Sequence, residues 1–112
     1  MSPLREFEIE VLRHLVKPKI GGERFRSVIE TGTVKSYEHT GVGYFLVVSH
    51  PILPKERLVC HKPLIMGRSG AIECGFVAFI EGGELTFECH SWGESDVPKD
   101  IRERSIEVFA TE

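Results

Sequence analysis

The chain has 112 residues, 41% of them hydrophobic and 28% charged, with a formal net charge of −3. That length suits one domain spanning 1–112, with a single core burying roughly two-thirds of the surface the unfolded chain exposes. The balance excludes a disordered class, and the longest apolar run, Tyr44 to Val48, is too short to cross a bilayer, so a soluble protein is expected with no membrane partner.

Charge is unevenly spread. Residues 1–80 carry 11 basic and 8 acidic side chains and residues 81–112 carry 3 and 9, which is +3 against −6. An acidic C-terminal third attracts basic partners and repels nucleic acid. The opening MSPLREFEIE lacks the basic-then-apolar layout of a secretory signal, so a cytoplasmic location is expected. Three cysteines, Cys60, Cys74 and Cys89, cannot pair completely within the chain, and thiols are expected.

Leu4, Phe7, Val11 and Leu15 recur at helical spacing, and Ile9, Leu12 and Val16 widen the stripe. The spacing predicts a helix over 3–16, capped by Ser2 and stopped at Lys17-Pro18, followed by a connector from Gly21-Gly22. Lys17, Lys19, Arg24 and Arg26 read as a solvated basic connector. From Phe25 onward the pattern reads as β, with candidate strands at 27–38, 43–49, 58–60, 71–80, 84–90 and 105–109 separated by Gly-, Pro- and Asp-rich turns. Five consecutive apolar positions, 44–48, predict a central strand covered on both faces. The fold class is therefore α+β: an N-terminal helix packed on a mainly antiparallel sheet of about five or six strands.

Gly82-Gly83 between two strand-like runs marks a tight hairpin, because a glycine pair accepts the positive φ that such turns require. Either a two- or a four-residue loop sets Ile80 opposite Leu85, Ala78 opposite Phe87 and Phe76 opposite Cys89, with Cys74 following on the same face. Cys74 and Cys89 are thus expected core thiols. Thr86, Glu88 and His90 point the other way with Val77 and Phe79, and the face of Glu88 must be wet or offer it a partner.

Cys60-His61 and Cys89-His90 contain zinc-ligand types, yet neighbours in a strand point to opposite faces and no Cys-x-x-Cys pair exists. A nucleophilic site from Cys60 or Cys89 with His50, His61 or His90 lacks any nucleophile-elbow motif. Gly41-Val42-Gly43 is a turn, since it lacks the Lys-Ser/Thr ending of a phosphate loop. Trp92, beside the acidic loop His90 to Asp96, reads as a cap on the core's end or as an aromatic anchor ringed by carboxylates.

Tyr37 to Phe45, YEHTGVGYF, and Gly75 to Gly93 resemble a family of small bacterial proteins with a Thr-Gly-Val-Gly-aromatic-aromatic turn, a Gly-Phe-x-x-Phe strand, a Gly-x-Leu hairpin and an acidic aromatic loop ending in proline. The matching residues are Thr40, Gly41, Gly43, Tyr44, Phe45, Gly75, Phe76, Phe79, Gly83, Leu85, Trp92, Gly93 and Pro98, nearly all turn or core types, so the resemblance implies a fold. The family's hairpin ends Leu-Glu-Gly-aromatic; here Phe87-Glu88-Cys89-His90 stands, and only Glu88 carries over. By size, acidity and lack of a catalytic motif the chain also looks like the immunity proteins that bacteria pair with secreted toxins, including those of contact-dependent inhibition. That similarity implies a non-catalytic module, without cofactor or metal, that binds a basic toxin domain through Glu84, Glu88, Glu94, Asp96 and Asp100 with Trp92 as anchor. The rival expectations are a small hydrolase or zinc-dependent protein built on the His/Cys set, and a scaffold subunit that dimerises through its sheet.

Overall fold

The computed structural model describes residues 3–92 and 96–111. A layer of helices covers one face of a six-stranded antiparallel sheet, as an α+β fold requires. The helices are α1 (Glu6–Leu15), the single turn α2 (Lys17–Ile20) and α3 (Gly22–Thr31). The strands are β1 (Thr33–His39), β2 (Gly43–Ser49), β3 (Leu58–Ser69), β4 (Ile72–Glu81), β5 (Glu84–Ser91) and β6 (Glu107–Thr111), and a 3₁₀ turn, Ile101–Glu103, precedes β6. Spatial order is β1-β2-β5-β4-β3-β6.

The amphipathic stripe buries Phe7, Val11, Leu12 and Leu15 of α1 on β3, β4 and β6. Ser2 lies outside the described residues; the N-cap of α1 is Arg5, whose backbone N–H donates to the Glu8 carboxylate at 2.8 Å. Lys17-Pro18 tightens the chain rather than ending the helical region. Pro18 occupies the first turn of α2, and Gly21 at φ +91° redirects the backbone into α3.

The segment from Gly22 to Thr31 corrects the sequence reading. It is a helix, so the predicted strand 27–38 begins only at Thr33, and Arg24 and Arg26 sit on a helical face instead of a connector. Phe25 and Val28, three residues apart, bury together against the core, and that tertiary burial outweighs the β preference of Val28 and Ile29.

The hairpin register is as expected: Ile80 faces Leu85, Ala78 faces Phe87 and Phe76 faces Cys89, across Gly82 and Gly83 at φ +61° and +79°. Tyr44, Leu46, Val48, Phe76, Ala78, Ile80, Leu85, Phe87, Cys74 and Cys89 fill the face under the helices. β2 is interior to the sheet but covered on one face only; Tyr44, Leu46 and Val48 are buried whereas Phe45 and Val47 are half-buried. The helical layer closes one side and nothing in the described chain covers the other.

Candidate protein-binding face

The uncovered side of the sheet is built from the alternate residues of each strand, because successive side chains point to opposite faces. Pairing registers align them in rows across the strands. One row reads Glu38, Phe45, Glu88 and Val77 over β1, β2, β5 and β4; the next reads Ser36, Val47, Thr86, Phe79 and Val59 and continues into β3. A third places Ser49, Glu84 and Glu81 side by side. Val77, Phe79, Phe45 and Val47 are half-buried by their neighbours alone, and Val59 is 46% exposed.

Charges on this face divide by strand. Glu81 receives a hydrogen bond from Arg57 at 3.1 Å, and Glu73 receives one from Arg68 at 3.0 Å. Both guanidiniums also lie over rings, Arg57 on Phe79 at 5.3 Å and Arg68 on Phe109 at 5.5 Å. The side chains of Glu38, Glu84 and Glu88 take part in no hydrogen bond or ion pair among the described residues. The β1-β2-β5 half of the face therefore carries apolar rings and three uncompensated carboxylates.

Trp92 is 47% exposed and does not cap the core. Its backbone N–H donates to the Glu73 carbonyl at 2.9 Å, and its indole lies over Gly75, where an added Cβ would sit 1.9 Å from Nε1. His90 stands beside it with ring centroids 6.2 Å apart. Gly75 thus has a physical reason to be glycine: it makes the shelf on which an exposed tryptophan rests.

Of the expected partner-binding residues, Glu84, Glu88 and Trp92 share this face. Asp96 is exposed beside the β1-β2 turn, where the Val97 N–H donates to the Gly41 carbonyl. Asp100 stands at the start of the 3₁₀ turn and accepts from Arg104 Nε at 3.0 Å. That turn belongs to the layer over the opposite face, since Ile101 is fully buried and Arg102 reaches α1. Glu94 lies outside the described residues. The structure thus brings three of the six together and adds Glu38, which sequence reasoning missed because its strand register depends on β2.

The residues of the rival chemistry are dispersed. Cys60, Cys74 and Cys89 are buried free thiols under the helices. Burial raises Cys60, with Lys19 opposing; the hydrogen bond between the other two thiols raises Cys89 and lowers Cys74. His61 is exposed, His90 faces away from Cys89, and His50 is bonded to Thr31 Oγ1 at 2.8 Å. Among the described residues no three His, Cys, Asp or Glu side chains converge on a common point.

A buried polar cluster holds the other side together. Glu8 is wholly buried on the apolar face of α1, and its carboxylate accepts from Arg102 Nε at 2.7 Å, Arg102 Nη2 at 2.8 Å and the Tyr44 hydroxyl at 2.5 Å. Arg102 also donates to the Pro3 carbonyl at 3.2 Å and lies 5.5 Å over the Tyr37 ring. Burial pushes the Tyr44 hydroxyl far above its ordinary range, with the Glu8 charge adding to it. The hydrogen bonds to Glu8 raise Arg102 further. With the Arg5 N–H each Glu8 oxygen accepts two hydrogen bonds, so the cluster is a clamp between α1 and the 3₁₀ turn.

No described helix is long and apolar enough to cross a membrane. Comparison of the chain with protein-family models, curated proteins and solved structures gives no match.

Proposed function

We propose that the chain is a non-catalytic protein-binding module of immunity type, whose open sheet face takes a basic toxin domain. The observation that carries the reading is the row Glu38, Phe45, Glu88 and Val77, in which carboxylates unpaired among the described residues alternate with apolar side chains on a face those residues leave bare. Any surface laid on these strands removes water from Phe45, Val47, Val77 and Phe79 and from the carboxylates at the same time. Burying an unpaired carboxylate costs several kcal/mol, roughly, so a stable cover must bring lysines or arginines opposite Glu38, Glu84 and Glu88.

The same argument disfavours two other occupants. A nucleic acid would set phosphates against the carboxylates, and a second copy laid face to face would offer them other carboxylates or the Arg57 and Arg68 guanidiniums already paired with Glu81 and Glu73. A basic protein gains apolar contact and charge pairing together. Opposite charge speeds the encounter, and a few desolvated contacts, with Trp92 at the margin, set the lifetime of the complex.

The test is co-expression with the products of the neighbouring genes. We expect one basic product to co-purify with the native chain and to lose toxicity in its presence, and the Glu84→Lys/Glu88→Lys variant to lose both effects. Absence of a complex with every neighbouring product, or a complex indifferent to that double reversal, overturns the reading.

A further inference from the structure

A cleft of about 360 Å³ opens between α1 and α3 in the helical layer, a surface separate from the bare face of the sheet. Its floor is apolar and its mouth is cationic. Ile9 of α1 and Phe25 and Ile29 of α3 form the floor, Phe25 and Ile29 being one turn apart on the same helical face. Arg13, one turn beyond Ile9, and Lys17, in α2, stand at the mouth.

Neither Arg13 nor Lys17 has an ion pair or hydrogen-bonded carboxylate among the described residues, although both lie in a chain of net negative charge. The remaining charges of the wall, Arg26 and Glu30, face each other at 4.0 Å on α3 and compensate one another. Lys17 lies along the start of α3, its Cε 3.7 Å from where a Cβ on Gly22 would be. That helix has glycine at its N-cap and no side-chain cap, so its first-turn N–H groups point toward the end of the cleft where Lys17 stands. Helix start and Lys17 therefore meet at one end of an apolar trough, and Arg13, four residues before Lys17, lines the same trough.

We propose that this cleft binds a small amphiphilic organic anion, a carboxylate or phosphate monoester head on a compact aromatic or branched aliphatic body. The head lies between Arg13 and Lys17 at the start of α3, and the body lies on Ile9, Phe25 and Ile29. The Arg13 fork matches two oxygens of either headgroup, and Lys17 supplies a mobile point charge. The volume is at the small end of the roughly 300–1,000 Å³ range of small-molecule sites, which suits a single ring or short branched chain and not a folded partner.

Titration of the labelled chain with phenyl phosphate, phenylacetate, inorganic phosphate and benzyl alcohol, followed by amide and methyl NMR, tests this. Saturable shifts at the Gly22 amide and the Ile9 and Ile29 methyls are expected with phenyl phosphate or phenylacetate, and the tighter of the two identifies the headgroup. Inorganic phosphate and benzyl alcohol, each carrying half of the chemistry, should bind about tenfold or more weaker, as should either anion to the Arg13→Gln/Lys17→Gln variant. Both positions are exposed, and the unchanged amide spectrum of that variant is the check on its fold. An Arg13→Lys variant, keeping the charge, should fall between native and double variant. Absence of saturable shifts with both anions, equal binding of benzyl alcohol, or binding unchanged in the double variant overturns the proposal. None of these outcomes depends on Glu38, Glu84 or Glu88, so the two proposals fail independently.

Discussion

Arg102 holds Glu8 with two hydrogen bonds, 2.7 and 2.8 Å, across 94 residues of chain. Glu8 is fully buried on the apolar stripe of α1, and its partner comes from a 3₁₀ turn that leads into the edge strand β6. The pair ties the first helix to the last strand, so the order of the helical layer depends on a contact made when nearly the whole chain is in place.

Removing one member of such a pair leaves the other charged and dry. Arg102→Met should lower stability by about 3–5 kcal/mol, because Glu8 keeps its burial and loses both guanidinium bonds. Glu8→Gln/Arg102→Met should cost less than the sum of the single changes, since neither member is then stranded. Urea unfolding of the four proteins of this cycle checks both statements; additive losses would show that the two side chains are not coupled.

Alkali should loosen the protein through its buried neutral acids. Burial raises both the Tyr44 hydroxyl and the Cys60 thiol above their ordinary values of 10.0 and 9.0. In each case the folded chain keeps a proton that the unfolded chain releases, so this stability is complete below about pH 9 and falls as pH rises through 9 and 10. Tyr44→Phe should reduce the slope above pH 10 by up to about 1.4 kcal/mol per pH unit while costing about 1–3 kcal/mol at neutral pH from the bond lost to Glu8. Chemical unfolding between pH 7 and 11, with the tyrosinate absorbance followed in parallel, measures both effects.

The β2, β4 and β5 strands were legible in the chain because their signals are local, whereas β3, expected only over 58–60 with a turn at 67–70, runs on through Leu58–Ser69, where Pro63 and Gly67 read as breaks. Gly82-Gly83 dictates the turn, the turn dictates the register, and the register dictates which cysteines are buried. α3 was not legible in the same way. Its Phe25, Val28 and Ile29 have helical spacing, but two glycines ahead of them and β-branched residues through Val34 read as connector and strand, and only packing against the core decides. The clamp left one trace in sequence: Glu8, four residues from both Leu4 and Leu12, is a carboxylate on an apolar stripe. Its partner could not be read, since nothing local joins residues 8 and 102. The candidate face was half legible, with Glu84, Glu88 and Trp92 assigned from strand alternation and loop composition, whereas Glu38 joins them only once β1 pairs with β2.

Two glycines flank His90 in one cross-strand row, and they should respond very differently to an added methyl group. At Gly43 a Cβ would sit 1.9 Å from the Cys89 carbonyl oxygen, an atom fixed in the ladder, so Gly43→Ala must part β2 from β5 and should cost more than about 4 kcal/mol. At Gly75 the obstructions are side-chain ends, the exposed Trp92 indole, which can swing into water, and the His90 Nε2, which at 2.9 Å needs only a small shift. Gly75→Ala should cost only about 1 kcal/mol and shift the emission of this sole tryptophan to the red, with greater quenching by iodide. Unfolding curves and fluorescence spectra separate the two. Equal stability losses would remove Trp92 from its place over Gly75.

Glu88 offers a test that separates a binding role from a structural one. It is half-buried on a strand, set between Phe45 and Val77, and its carboxylate receives no bond from any described group. A carboxylate so placed contributes nothing to the fold through pairing, and a β-branched residue suits the position better. Glu88→Thr should therefore raise stability by about 0.5–1 kcal/mol, the gain expected where a residue is kept at the expense of the fold. The same substitution should weaken the complex with a basic partner, mainly through a slower encounter at low salt. Thermal unfolding and binding kinetics measured on the one variant give opposite signs if the carboxylate serves a partner. A loss of stability would instead mean that Glu88 supports the sheet itself, and the open face would lose the residue on which its assignment rests.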